Sequence, residues 1–151
     1  IANKVGADVL IHSMDSPPYE QIMEYTRGRG VDVSVETAGS PVTSAQVLAL
    51  PRKGGKVVLM GIPYEDVHLD RFYFEKIVRN ELTIYGSWNA VSSPFPGKEW
   101  ITTLHYMSTG KINVHPIISH RLALSEGPDV FKKIINKEME YAKILFYPEL
   151  D

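Results

Sequence analysis

The sequence predicts an α/β fold, a doubly wound parallel sheet followed by a smaller α+β segment. Three observations carry this. Short apolar, valine-rich runs alternate with amphipathic helical stretches through the first part of the chain, the pattern of a parallel sheet with helices on its faces. One of those runs, KVVLMG at 56–61, is continuously apolar, as strands covered on both faces are. Three of the runs also end in glycine-containing, backbone-exposing stretches, at 37–40, 61–63 and 86–89.

Taken in order, IANKVGAD reads as the last turn of a helix closed by Gly6, so the chain is expected to be a fragment that begins inside an element. ADVLI, 7–11, is a short apolar run expected to form a strand. DSPP is a turn, and YEQIMEYT puts Tyr19, Ile22, Met23 and Tyr25 or Thr26 on one helical face. VDVSVETAG, 31–39, is the second expected strand. Ser40 and Pro41 then supply an N-cap and a first-turn proline for a helix through VTSAQVLAL, where proline's missing N–H costs nothing. RKGG turns the chain into KVVLMG. RFYFEKIVRN is the next helix and ELTIYGS the next strand.

The remainder behaves differently. KEWITTLHYMSTGK is an amphipathic helix closed by Gly110, and INVHPIISHRLAL is extended and interrupted by proline. SEGPDVFKKIINK is a helix for which Ser125 is the expected N-cap, and AKILFYP is the last strand. No repeat, low-complexity tract or flexible linker separates the parts. The expected division is therefore 1–89 and 90–151, with a change of layer near Trp88 to Gly97 in place of a tether.

Composition narrows the function classes. The 151 residues are 44% hydrophobic and 23% charged, as in a globular protein of one ordinary domain. With 16 basic and 18 acidic residues and no block of one sign, there is no electrostatic footprint for nucleic acid. No apolar run approaches the roughly 18 residues of a membrane helix, and the start lacks signal-peptide features, so a soluble, cytoplasmic protein is expected. The absence of cysteine excludes disulfides, thiolate nucleophiles and cysteine-ligated metal within this chain.

The strand ends are where chemistry is expected. In an open parallel sheet the ligand crevice lies beyond the carboxyl ends of the strands, where glycine lets a backbone approach a cofactor closely. One glycine after a strand is an ordinary turn residue, but three successive strand ends of this kind favour a nucleotide site. The chain has no GxGxxG. Gly28 and Gly30 follow a helix and precede a strand, the reverse of a phosphate-binding turn, and are loop residues. Asp32 and Glu36, set in a valine strand, suit a structural or nucleotide-adjacent role better than general acid or base work. His12, His68, His105, His115 and His120 show no zinc-ligand spacing.

GADVLI, GVDVSVETAGSP, LPRKGGKVVLMGIP, RNELTIYGSW and PIISHRLAL, in this order, resemble the C-terminal part of the zinc-dependent medium-chain dehydrogenase/reductase family, which includes alcohol and sorbitol dehydrogenases. The loop GSWNAVSSPFPGKEW is similar to that of its polyol-phosphate branch. The resemblance covers essentially the whole chain but less than half of a typical family member. It implies an incomplete Rossmann-like sheet, with 90–151 completing the catalytic domain and packing on a GroES-like domain that lies upstream. It implies NAD as cofactor and zinc whose ligands are also upstream, so no catalytic or metal residue is assigned within this chain, and the chain alone is expected to be inactive.

Position by position, the resemblance places Thr37, Ala38 and Gly39 near the adenosine ribose and pyrophosphate side of NAD. Met60 and Ile62, flanking Gly61, would offer carbonyls to the nicotinamide carboxamide, bracketed by Ser87 and Asn89. Trp88 would pack on cofactor or substrate, or else cover the sheet edge. Ser92 and Ser93 are candidate phosphate donors, although SSP is also ordinary turn chemistry. Where several relatives carry an arginine before the last strand, this chain has Ala142 followed by Lys143. The segment Val67, His68, Leu69 matches one that pairs across a dyad in relatives, which implies a homodimer or homotetramer. The expected partner is a small polyol or polyol phosphate. The residues by themselves leave open a non-catalytic nucleotide-binding or interaction module, and a zinc-independent quinone reductase relative fits GSW and SSPFPG less well.

Overall fold

The structure, a computed structural model, describes residues 1–13, 15–88 and 93–150. The chain divides into two units, Ile11–Val91 and a second formed by Ile1–Leu10 with Ser92–Asp151.

In the first unit three strands, β1 (Val31–Glu36), β2 (Pro51–Leu59) and β3 (Thr83–Gly86), form a parallel sheet in that order. Parallel neighbours need crossovers. They are supplied by α2 (Pro41–Gln46), which runs on into a 3-10 turn at Val47–Ala49, and by α3 (Arg71–Arg79). Helix α1 (Pro18–Tyr25) precedes β1. Ser40 accepts the Val42 N–H at 3.3 Å and Pro41 opens α2, as expected of that pair. RKGG does turn, but inside the ladder. Val31 pairs with Pro51 and Val33 with Lys56, so the intervening Arg52–Gly55 loops out of register.

The core of this unit is Val47, Leu48 and the fully buried Val57, with Leu59, Tyr73, Ile77 and Leu82 packed around it. Tyr73 and Ile77 lie four apart on α3, so one helical stripe meets the sheet. Lys76, on the same helix, donates to the Tyr19 hydroxyl at 2.9 Å and sits 4.6 Å from the centre of that ring. Strand β1 alternates in an unexpected sense. Its polar Ser34 and Glu36 are buried, whereas Val33 and Val35 are half exposed. Ser34 is accommodated because its hydroxyl donates to the Val47 carbonyl at 3.0 Å.

In the second unit, β4 (Ile118–Ala123) and β5 (Lys143–Tyr147) pair in parallel, with α5 (Gly127–Ile135) between them in sequence. Val130 is buried, and the Phe131 and Phe146 rings lie 6.2 Å apart. Helix α4 (Lys98–Ser108) ends at Gly110, whose φ of 71° is the left-handed conformation expected of a glycine stop. Its Trp100, Ile101 and Leu104 are exposed.

Four expectations are corrected. ADVLI is not a strand. A strand is stable through its ladder, and among the described residues none pairs with 7–11, whose Val9 and Leu10 are exposed. The opening turn Ala2–Val5 is 3-10, although Gly6 closes it at φ 100° as expected. INVHPIISHRLAL is not extended throughout, because His115–Ile117 forms a 3-10 turn around Pro116 before β4 begins. Helix α5 is preceded by a 3-10 turn at Leu124–Glu126, which puts Glu126 and not Ser125 at its N-cap. The Glu126 carboxylate accepts the Ala123 N–H at 2.8 Å.

Candidate functional site at the strand ends

Parallel pairing aligns the carboxyl ends of the three strands. Glu36 lies opposite Leu59, and Leu59 opposite Gly86. The next residues of each strand, Thr37, Met60 and Ser87, therefore leave the sheet side by side. The hydrogen-bond ladder extends one step into them. The Glu36 carbonyl accepts from both Met60 N (3.0 Å) and Gly61 N (3.1 Å), and the Leu59 carbonyl accepts from Ser87 N (2.9 Å).

Two of the glycines are required by geometry. Gly39 has φ 66°, and a Cβ there would come within 2.7 Å of the Ile62 carbonyl oxygen. A Cβ on Gly61 would collide with the Glu36 carboxylate and the Gly39 backbone. The turn after β1 is thus pressed onto the turn after β2 with no side chain between them. Gly86, by contrast, has open space around it. Around this seam Thr37, Ala38, Met60, Ile62, Ser87 and Trp88 are exposed. A cleft of about 570 Å³ opens beside the seam, lined among others by Pro18, Val35, Thr37, Ala38, Val42 and Thr43.

Glu36 organises the seam. It is only 3% exposed, and its Oε1 accepts three donors: Ala38 N (2.9 Å), Gly39 N (3.0 Å) and the Thr43 hydroxyl (2.8 Å). Its Oε2 is buried with no partner among the described residues. A carboxylate that accepts several N–H bonds stabilises the turn that supplies them. The consequence for a ligand is specific. The Ala38 and Gly39 N–H groups are already committed, so this turn meets a ligand by close backbone contact and does not donate these two bonds to a phosphate. Thr43 escaped sequence reading because its role depends on α2 folding back over the end of β1. The spacing E-x-x-G followed by Ser40, Pro41 and Thr43 is the signal that marks it.

Other candidates lie elsewhere. Asp32 bridges Arg29 and Arg52, each at 2.5 Å, at the opposite end of β1. Hydrogen bonds from Arg52 and then Arg29 hold its carboxyl below the usual value of 3.8. Glu75 is likewise lowered, by Arg71 first and then Arg79, along α3. His12 lies 3.4 Å from Asp15, the His105 ring lies tilted 5.6 Å from that of Tyr106, His68 is exposed, and His120 sits in β4 opposite Ile144 with its Nδ1 2.9 Å from Ser119 Oγ. No group of three His, Asp or Glu among the described residues could hold a metal ion. Ala142 donates its N–H to Ser119 Oγ at 3.0 Å, just before β5. Val67, His68 and Leu69 are exposed and belong to neither sheet. Ser93 is exposed, and Asn89 and Ser92 fall outside the described residues. No helix among those described is long and apolar enough to cross a membrane.

A parallel sheet whose strand ends meet in a seam of this kind is an open α/β fold, and comparison with known proteins gives its family. The zinc-binding dehydrogenase family model matches residues 1–105, and the chain belongs to that family. Galactitol 1-phosphate 5-dehydrogenase of Escherichia coli is 31% identical over 150 residues, 98% of this chain and 42% of that protein. Sorbitol dehydrogenase of Bacillus subtilis is 29% identical over 97% of this chain and 39% of its own length. The crystal structure of galactitol-1-phosphate dehydrogenase from Escherichia coli superposes with a TM-score of 0.85 at 31% identity, covering 97% of this chain and 42% of that one. The chain thus spans about 40% of the length of these relatives.

Proposed function

We propose that this chain is the C-terminal part of a zinc- and NAD-dependent dehydrogenase that interconverts a secondary alcohol of a polyol phosphate and the corresponding ketone, with galactitol 1-phosphate and tagatose 6-phosphate as the pair. Residues 1–89 are the C-terminal half of the NAD-binding domain, and 90–151 complete the catalytic domain. The observation that carries the reading is the seam at the ends of β1 and β2, where Gly39 and Gly61 leave no room for a side chain and Thr37 and Ala38 line the adjoining cleft. The likeness to galactitol 1-phosphate 5-dehydrogenase supports the substrate.

In this reading Thr37, Ala38 and Gly39 line the cofactor by contact. Met60, Gly61 and Ile62 present the second edge, and Ser87 and Trp88 close the nicotinamide end. When bound, NAD supplies the hydride acceptor and zinc polarises the alcohol oxygen. This chain's share is to position the cofactor and keep water from it, and the zinc ligands and the phosphate turn belong to the upstream part. The protein is placed in the cytoplasm as a homodimer or homotetramer joined through Val67, His68 and Leu69.

The test is turnover by the full-length protein containing this chain, with zinc and NAD, on galactitol 1-phosphate, sorbitol and threonine. NADH formation on the phosphate ester at a kcat/KM at least about tenfold above the others is expected, with loss on chelation. Preference for an unphosphorylated alcohol would move the substrate to another branch, and absence of NAD-linked turnover on any of them would overturn the reading.

A further inference from the structure

We propose that Glu36 is a positioning residue for the cofactor, setting the geometry of the crevice without touching the reacting atoms. The proposal rests on the reading of this site as a nicotinamide-cofactor crevice.

The Glu36 carboxylate stands at the seam between the ends of β1 and β2. It occupies the last position of β1, facing inward in a strand whose valines face outward, and it is 97% buried by its 3% exposure. Burying a carboxylate is costly unless its lone pairs are used, and an apolar residue would fill this place without that cost. What the carboxylate does there is local. Oε1 collects donors from two consecutive residues of the turn, Ala38 and Gly39, and from Thr43 on α2. The same residue's carbonyl collects Met60 N and Gly61 N from the end of β2.

One residue therefore joins all three pieces that border the crevice on this side: the turn after β1, the first turn of α2, and the turn after β2. Its remaining oxygen, Oε2, is enclosed against Gly61 and leaves no space for a Cβ. Moving or neutralising the carboxylate releases the 37–39 turn, and with it the spacing between Gly39 and the Ile62 carbonyl. A local departure from full polar satisfaction of this kind is expected where structure is held for a ligand.

The test compares Glu36→Gln and Thr43→Val in the full-length protein. Glutamine keeps one acceptor but loses the charge that strengthens its bonds, and places an NH₂ or a neutral oxygen against Gly61. Thr43→Val removes one of the three donors and leaves the backbone pair intact. Each variant is measured for NAD dissociation constant, KM for NAD, KM for the polyol substrate, kcat and melting temperature. Expected for Glu36→Gln is a rise of about tenfold in Kd and KM for NAD, with polyol KM and kcat within about twofold of wild type. For Thr43→Val a smaller rise in the same two constants, about threefold, is expected with melting unchanged.

If Glu36→Gln does not fold, Thr43→Val decides alone. NAD constants unchanged in a folded Thr43→Val or Glu36→Gln protein would overturn the proposal. So would a uniform fall in kcat and rise in every KM that tracks the melting temperature, since that is what a purely structural role gives. Failure of the underlying reading is separately visible, because the wild-type protein would then bind no NAD.

Discussion

At the scale of single residues, the strand-end glycines carry the most specific expectation. Gly39 and Gly61 were legible as candidates because they follow apolar runs, but so was Gly86, and only packing separates them. The first two sit back to back, whereas an added Cβ on Gly86 meets nothing within 4 Å. Replacing Gly39 by alanine imposes a left-handed conformation on a residue with a side chain and presses its Cβ on the Ile62 carbonyl. Gly61→Ala drives its Cβ into Glu36. Each is expected to cost roughly 2–4 kcal/mol in urea unfolding, against less than about 0.5 kcal/mol for Gly86→Ala. Equal costs at all three would mean that the seam does not exist. The role of Glu36 was only half legible. An acid at the end of a valine strand signals something unusual, but one of its partners, Thr43, comes from α2, and no local pattern states which way α2 returns.

At the scale of elements, the alternation of strand and helix was legible because period-two and helical patterns are separated by turn residues that act locally. What was not legible depends on partners. ADVLI has the composition of a strand, but a strand is a property of a ladder, and none among the described residues pairs with it. The burial sense of β1 was not legible for the same reason: valine prefers a covered face, and which face is covered is decided by neighbours. The core itself can be tested at Val57, which is fully buried in a cluster with Val47 and Leu48. Val57→Ala should cost about 2 kcal/mol, whereas Val33→Ala, half exposed on the same sheet, should cost under about 1 kcal/mol.

Electrostatics enters where β1 starts. Asp32 is held below its usual 3.8 by Arg52 and Arg29, so its folded-state value lies below its unfolded one. The contribution it makes is therefore present above 3.8 and lost as pH falls through the folded value. Asp32→Asn should lower the melting temperature slightly at pH 7, with the difference shrinking as pH falls below 3.8 and shrinking also in high salt because the group is exposed. A difference that persists at the acid end would assign the effect to something other than the ion pair. Val67 and Leu69 carry the assembly proposal. Charged substitutions there should convert the full-length oligomer to smaller species in analytical ultracentrifugation, and an unchanged sedimentation profile would place the interface elsewhere.

At the scale of the whole molecule, the family was legible in the sequence because its pieces recur in a fixed order, although each is weak alone. The reason lies in the fold: three of the pieces, GVDVSVETAGSP, LPRKGGKVVLMGIP and RNELTIYGSW, carry the ends of the three paired strands, and the sheet fixes their order. The substrate is less legible, since the resemblance to polyol-phosphate enzymes rests on one loop sequence, GSWNAVSSPFPGKEW, and turn-forming residues of that kind recur in many loops. The central claim is that these strand ends are one side of a cofactor crevice whose phosphate turn lies in another part of the protein. Isothermal titration of NADH, into the full-length protein and into the 151-residue chain, tests it most directly. The account predicts one site per subunit in the full-length protein and no measurable heat of binding with the chain alone. Binding by the isolated chain as tight as that of the full-length protein would contradict it, because these strand ends would then form a sufficient site by themselves.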